Sequence, residues 1–396
     1  MGDNMYNSNW GYYNGKVRNA RVKKTHEPIA ILKYDFTPES KKLKASATVL
    51  YRFGKNGYTA LDWYDAPDPR PDYYRNLPSY FFMDNTDYNR LNYSKYMWAK
   101  EQWEQDIPSI THINWDRLYA VNAMNSTADG NRSKYVIEER RTDQQDLNFA
   151  ANAKWSPVNC FTLAGGLSYK WNRTEYYKIL DDLLGGDYYV NIDQFAERDY
   201  ASSVTMYQND LDYYLKNGKA QTLKQGDKYG YDYYANVRRA EAWVSGKFSK
   251  FGLDVALAGR IGYTKYWREG LLRKGLFPGL DANGQPMTYE GKVITTYDPI
   301  TGDAITSLGK SEVKDFLTGA AKLNVSYVIP GGHRVYANAA FIADAPNFNQ
   351  AFISPRTRNS IVPNLKTNKT LTADLNYAYS NSGYDVRVTG YYTAIK

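Results

Sequence analysis

Residues with chemistry in their side chains are scarce and scattered in this sequence. His26, His112 and His333 are its only histidines and stand far apart, without the companion spacing a metal site needs. Asp281-Ala282-Asn283-Gly284-Gln285 has the opening of a calcium loop, but position twelve of that frame is Lys292, where a bidentate glutamate is required; it reads as a turn. Glu138 and Glu139 are adjacent carboxylates, yet neighbours on a strand point to opposite faces and cannot share a proton. With Arg140 and Arg141 they read as a charged stretch of strand. The sequence has no phosphate-binding glycine loop and no nucleophile elbow, so it is expected to be no enzyme and to take no cofactor or metal. The best candidates for ligand contact are aromatic: Trp63, Tyr64, Tyr73, Tyr74 and Tyr80, in a stretch stiffened by proline. Their ring faces suit sugars, peptides or planar chelates, and suit packing among loops equally.

The elements around these residues carry more information than the residues themselves. In 320–344 Leu323, Val325 and Tyr327 share one face while Lys322, Asn324 and Ser326 share the other. After Pro330-Gly331-Gly332 the alternation resumes with Val335, Ala337, Ala339 and Phe341. Four more hairpins repeat the plan, giving ten candidate strands near 28–53, 145–172, 238–264, 315–342 and 369–394. The connections between them are long, about 54–134, 173–231, 265–313 and 343–369. Soluble domains rarely carry loops beyond about 15 residues without structure of their own. Short turns at one end and long loops at the other are the asymmetry of outer-membrane barrels.

From Phe161 to Trp171 is ten steps, about 33 Å along a strand. At a tilt near 40° this projects to about 25 Å, the height of a barrel's apolar band. Phe161 and Trp171 are therefore expected at the two lipid interfaces, with Trp155, Phe248, Phe251 and Tyr327 near the turns and Tyr263 near the loops. The apolar face would meet lipid and the polar face the lumen. A β-sandwich alternates too, but its strands run about 5 or 6 residues, and a face this rich in Gly and Ala would make a thin core. The fold class is thus all-β, an antiparallel transmembrane β-barrel with long extracellular loops.

Composition agrees. Mean hydropathy is −0.65, and no apolar run approaches the roughly 20 residues of a spanning helix. There are 39 Tyr and 9 Trp, residues suited to bilayer interfaces and binding loops. A single cysteine, Cys160, excludes a disulfide framework. The formal charge of +8 is spread over strands and loops without a basic run carrying stacking aromatics, so nucleic acid is not expected as a partner. On the polar face Lys33, Lys44, Arg52, Lys154, Lys170, Lys247, Arg260, Lys322, Arg334 and Arg387 outnumber Asp35, Asp146, Glu241, Asp254, Asp374 and Asp385. Either the lumen is mildly positive, or these charges are paired within the wall. "MGDNMYNSNWGYYNGK" has no basic stretch before an apolar core and so reads as no secretory signal; the chain is either cytoplasmic or a piece of something longer.

Three stretches, "NWGYYNGKVRNARVKKTHEPIAIL" (9–32), "YTALDWYDAPDPRPDYYRNLPSYF" (58–81) and "AFISPRTRNSIVPNLKTNKTLTADLNYAYSNSGYDVRVTGYYT" (351–393), resemble the barrel of TonB-dependent outer-membrane transporters of the Bacteroidota type. The resemblance covers nearly the whole chain. It implies energised import of a nutrient, such as a siderophore, glycan or peptide, through a 22-stranded barrel with an N-terminal plug. The partners it implies are outer-membrane lipid, the plug of the same full-length chain and the TonB complex acting on an N-terminal region, and it admits a surface lipoprotein. Ten strands, no plug and an end at "YYTAIK" depart from that pattern, so the chain is expected to be a partial barrel of the cell outer membrane lacking its plug. A passive porin or adhesin barrel would show the same strands. A barrel hydrolase would need a Ser, His and acid set, and a soluble glycan binder would need no detergent.

Overall fold

The computed structural model describes residues 5–40, 42–82 and 92–396. One antiparallel sheet dominates it. Its strands are β1 (Lys23–His26), β2 (Ile29–Phe36), β3 (Leu43–Trp63), β4 (Tyr135–Val158), β5 (Phe161–Asp182), β6 (Lys228–Lys250), β7 (Leu253–Gly270), β8 (Gly309–Lys310), β9 (Lys314–Ile329), β10 (His333–Asp344), β11 (Asn368–Ser380) and β12 (Asp385–Ile395). The order across the sheet is β12-β11-β10-β9-β7-β6-β5-β4-β3-β1, with β2 also on β3 and β8 on the end of β7. Among the described residues β12 and the β1/β2 edge do not pair with each other, so the sheet is open.

Twelve segments stand where ten strands were expected. β1 and β2 keep one register along β3, Lys23 opposite Tyr58 and Ile29 opposite Arg52, and are split only at Glu27-Pro28, where proline has no N–H for the ladder. β8 adds two residues. The larger correction concerns the loops: β3, β5 and β7 do not end near 53, 172 and 264 but run on to Trp63, Asp182 and Gly270, and β4 and β6 begin at Tyr135 and Lys228 rather than near 145 and 238. In these extensions both faces are covered or charged, so the apolar/polar alternation stops although the ladder continues.

The turns at the other end are tight. Lys250 is opposite Leu253, and the two residues between, Phe251 (φ 55°) and Gly252 (φ 77°), both have positive φ, the two-residue turn whose twist suits a hairpin. A phenylalanine in that region is unusual, and its ring projects into the surroundings, 84% exposed. Ile329 is opposite His333 across Pro330, Gly331 and Gly332. Between Ser380 and Asp385 the Asn381 side chain accepts from the N–H groups of Gly383 and Tyr384.

The register sorts the two faces row by row. One row of the apolar face reads Ala47, Ala151, Leu167, Ala242, Ile261, Gly319, and the next Val49, Phe149, Tyr169, Ala240, Tyr263, Leu317. This face is bare: Leu167 is 59% exposed, Ile261 58% and Leu317 70%. No described segment packs on it. The buried apolar residues all lie elsewhere, at the loop end. One core joins Tyr64, Val136, Leu180, Tyr189, Leu223 and Tyr229, a second joins Ile113, Trp115, Leu118, Tyr135 and Leu184, and a third joins Tyr266, Phe316 and Phe352. A β-sandwich would bury the alternating apolar face against a second sheet, and here that face has no such cover.

The polar face carries ion pairs: Arg52 Nη2 and Lys170 Nζ lie 3.2 and 3.6 Å from Asp146, Arg260 Nη1 is 3.2 Å from Glu241, and Lys33 is 2.9 Å from Asp35 at the turn end of β2. Toward the turns Lys44, Lys154, Lys247, Lys322, Arg334 and Arg387 meet no carboxylate within 4 Å among the described residues. Lys44 even stands opposite Lys154. Pairing within the wall and cations without a carboxylate partner thus both occur on this face. Gly166 is required here, because a Cβ on it would sit 2.7 Å from the Trp243 indole nitrogen and closer still to Asn152.

Candidate functional site

Above the apolar band the extended strands and folded loops enclose a cavity of about 290 Å³. β3 supplies Asp62 and Trp63 with Tyr64 just beyond, β4 supplies Arg140, β5 supplies Lys178, and the following loop supplies Tyr189 and Ile192 to Phe195. β6 contributes through a bulge. Tyr229 is opposite Lys178 and Asp232 is opposite Tyr177, so Gly230 and Tyr231 are looped out toward the cavity. Only glycine fits at 230: φ is +73°, and a Cβ would lie 2.4 Å from Lys178 Cε. Lys274 and Arg356 close the ring from the later loops.

The floor is an ion cluster. Lys178 Nζ lies 2.8 Å from Asp62 and 2.8 Å from Glu138, whose other oxygen accepts from Arg140. The Tyr229 hydroxyl donates to Asp62 at 3.0 Å, and the Lys178 ammonium stands 4.1 Å from the Tyr229 ring centre. Burial alone pushes the Asp62 carboxyl up, but the Lys178 charge and hydrogen bond outweigh it and hold the group at about 2. Burial likewise pulls Lys178 down, and the two carboxylates more than reverse that. Burial, with Asp62 and Glu138 nearby, pushes the Tyr229 phenol well above its usual range.

Two cations on the wall are different. Lys274 is buried and its Nζ donates to the Asn209 amide oxygen at 2.7 Å. Burial pulls its ammonium down to about 8. Arg356 stacks 5.2 Å from the Tyr231 ring. Neither meets a carboxylate within 4 Å among the described residues. The cavity is thus ringed by phenols, with these two cations and the Asp193 carboxylate on its wall and Asp62 in its floor.

Of the five aromatics singled out from sequence, Trp63 and Tyr64 line this cavity. Tyr64 is also a core residue, 8% exposed, donating to Glu197 at 2.8 Å with Arg132 over its ring. Tyr73, Tyr74 and Tyr80 form a separate edge-to-face cluster with centroids 4.8 and 5.5 Å apart, largely on the surface. Lys178, Tyr229, Tyr231, Lys274 and Arg356 escape sequence reasoning because their meeting depends on strand extensions and a bulge. Glu138 and Glu139 do face opposite ways, the first toward Lys178 and the second toward Lys24 and Arg141. Asp281 accepts from the N–H groups of Asn283 and Gln285, a turn. Among the described residues no three His, Cys, Asp or Glu side chains converge as a metal site would need.

The expected interface aromatics fall on the bare face or its ends. Trp155 (48% exposed), Phe248, Tyr263 and Tyr327 are exposed, and Phe161 is opposite Phe248. Trp171 shares its row with Tyr51, Leu147, Arg238 and Lys265, so the apolar band stops at its level.

No protein-family model and no curated protein sequence matches this chain. Among solved structures it is similar to the copper transporter OprC (11% identity, 96% of this chain and 42% of that one, TM-score 0.46). It is also similar to the ferric-catecholate import receptor Fiu from E. coli K12 in its open form (8%, 93% and 40%, 0.45). A third is the ferric citrate transporter FecA in the unliganded form (9%, 93% and 34%, 0.44). The chain thus spans about two fifths or less of the length of these structures.

Proposed function

We propose that this chain is part of the wall of an outer-membrane transport barrel, of the TonB-dependent importer kind, and that it contributes a selective vestibule on the extracellular side. The observation that carries the reading is the bare apolar face. A sheet whose apolar rows stay uncovered while its opposite face holds ion pairs is built for hydrocarbon outside and polar contents inside. Unpaired sheet edges are costly in lipid, which supports closure of the barrel by further strands. The cations toward the turns suit an acidic plug surface, and the cavity under the loops suits a compact anionic nutrient.

The test is uptake by cells carrying the full-length protein. Accumulation of its substrate should depend on the protein and cease when TonB is deleted. Uptake that persists without TonB would make the barrel a passive pore, and recovery of the protein in the aqueous fraction without detergent would remove it from the membrane altogether.

A further inference from the structure

The loop-side rim of the bare face departs from a plain apolar band. The Arg238 guanidinium lies 4.8 Å from the Trp171 ring centre and 5.2 Å from that of Trp267, and Lys310 Nζ lies 5.0 Å from that of Trp267. Lys265 is the cross-strand partner of Arg238. Among the described residues no carboxylate comes within 4 Å of Arg238, Lys265 or Lys310. The carboxylates of the rim are engaged elsewhere: Asp315, opposite Lys265, accepts from the Tyr263 hydroxyl at 3.0 Å, Glu269, opposite Lys310, lies 3.6 Å from Arg173, and Glu175 and Asp143 on the same row as Glu269 pair with Lys228 and Arg141. Arg238 Nη1 donates to the carbonyls of Asn172 (2.8 Å) and Val237 (2.9 Å), which fixes the plane of the guanidinium. One row further out, Asn236 Nδ2 is buried without any acceptor. Arg238, Lys265 and Lys310 thus stand on the rim without an ion-pair partner among the described residues, although carboxylates stand on the same rows.

We propose that this rim binds the phosphate of a lipid headgroup in the outer leaflet. The inference rests on the reading that the bare face meets lipid. A phosphate group suits a fixed guanidinium flanked by ammonium groups, since planar forked donors and point charges complement its oxygens. The choice of a lipid follows from continuity: directly below Arg238 and Lys265 the same face continues as Tyr169, Ala240, Tyr263 and Leu317, a surface for acyl chains. A free anion would meet the charges and gain nothing from that surface. Trp171 and Trp267 hold the headgroup level, as aromatic belts do.

The experiment uses the full-length protein extracted in neutral detergent, titrated with a diphosphorylated lipid A and with its dephosphorylated counterpart, and read by native mass spectrometry. The phosphorylated lipid should bind about tenfold tighter or more, as expected of charge-assisted bonds. Arg238→Gln with Lys265→Gln should remove most of that preference, whereas Arg238→Lys should keep much of it. Millimolar inorganic phosphate should not displace the lipid. Equal binding of the two lipids by the unaltered protein, which needs no variant to fold, overturns the proposal, as does a preference that survives the double substitution. Displacement by phosphate alone would show an anion site with no lipid specificity. A protein that requires detergent yet shows no phosphate preference defeats this inference only. A protein soluble without detergent defeats the membrane reading with it.

Discussion

Lys170 and Trp171 are consecutive in β5 and face opposite surroundings. The Lys170 ammonium lies 3.6 Å from the Asp146 carboxylate on the polar face, while the Trp171 ring lies 4.8 Å from the Arg238 guanidinium on the apolar one. One step along a strand crosses from the polar face to the rim of the bare apolar one, and the energetics of substitutions should change sides with it.

Leu167 lies mid-band and is 59% exposed, so in water its replacement by a charge would change stability by less than about 0.5 kcal/mol. In a bilayer Leu167→Arg should cost about 2–4 kcal/mol, whereas the neighbouring Ser168→Arg on the polar face should be far milder. Unfolding titrations of the protein reconstituted in vesicles measure both.

The Lys178 cluster should behave as a buried unit. Lys178→Met leaves Asp62 and Glu138 facing each other without their cation and should cost about 3–5 kcal/mol. The sign with pH follows from Asp62, held down from 3.8 to about 2. Such a carboxylate contributes stability above its unfolded value and loses it as pH falls toward its folded one. Melting temperature should therefore drop between about pH 4 and pH 2 in the unaltered protein, and less in Asp62→Asn.

Lys274 carries the opposite sign. Its ammonium is pulled down to about 8, so burying the charged form costs roughly 3 kcal/mol at neutral pH, a cost relieved as pH rises from 8 toward 10.5. Lys274→Met should raise the melting temperature at pH 7, with the gain shrinking above pH 8. The same change should weaken retention of an anionic substrate, and in the unaltered protein that retention should fall as pH passes about 8.

The turns should tolerate little at Gly332. Its φ is +89°, and a Cβ would lie 2.2 Å from the Ser380 carbonyl oxygen. Gly332→Ala should destabilise by more than about 1 kcal/mol, whereas Phe251→Asn, at another left-handed position but with an exposed ring, should leave the fold unharmed or firmer. Thermal denaturation of the two variants in the same detergent decides.

The faces of the sheet were legible because period two survives wherever one side is apolar. Leu163, Leu167 and Tyr169 announce themselves against Thr162, Ser168 and Lys170. The outer parts of the strands were not legible: in Tyr135 to Arg141 both faces are covered or ionic, so alternation vanishes although the ladder persists. The hairpin of Trp10–Tyr13 with Lys16–Asn19 was readable in principle, since Asn14-Gly15 between aromatic residues is a strong two-residue turn signal. The cavity was not, because Lys178, Tyr231, Lys274 and Arg356 come from four distant segments and are joined by a bulge that no local pattern marks. Trp63 and Tyr64 were found only because aromatics beside proline invite suspicion.

The central claim is that the odd positions of β5 from Phe161 to Tyr169 face lipid. With Cys160 replaced by Ser, single cysteines at 163, 167 and 169 and at 162, 168 and 170 would be labelled in membranes with a fluorophore and exposed to brominated lipid and to an aqueous quencher. The structure predicts quenching by lipid at the odd positions and by the aqueous agent at the even ones. Aqueous quenching at 163, 167 and 169, or no alternation at all, would contradict a membrane wall.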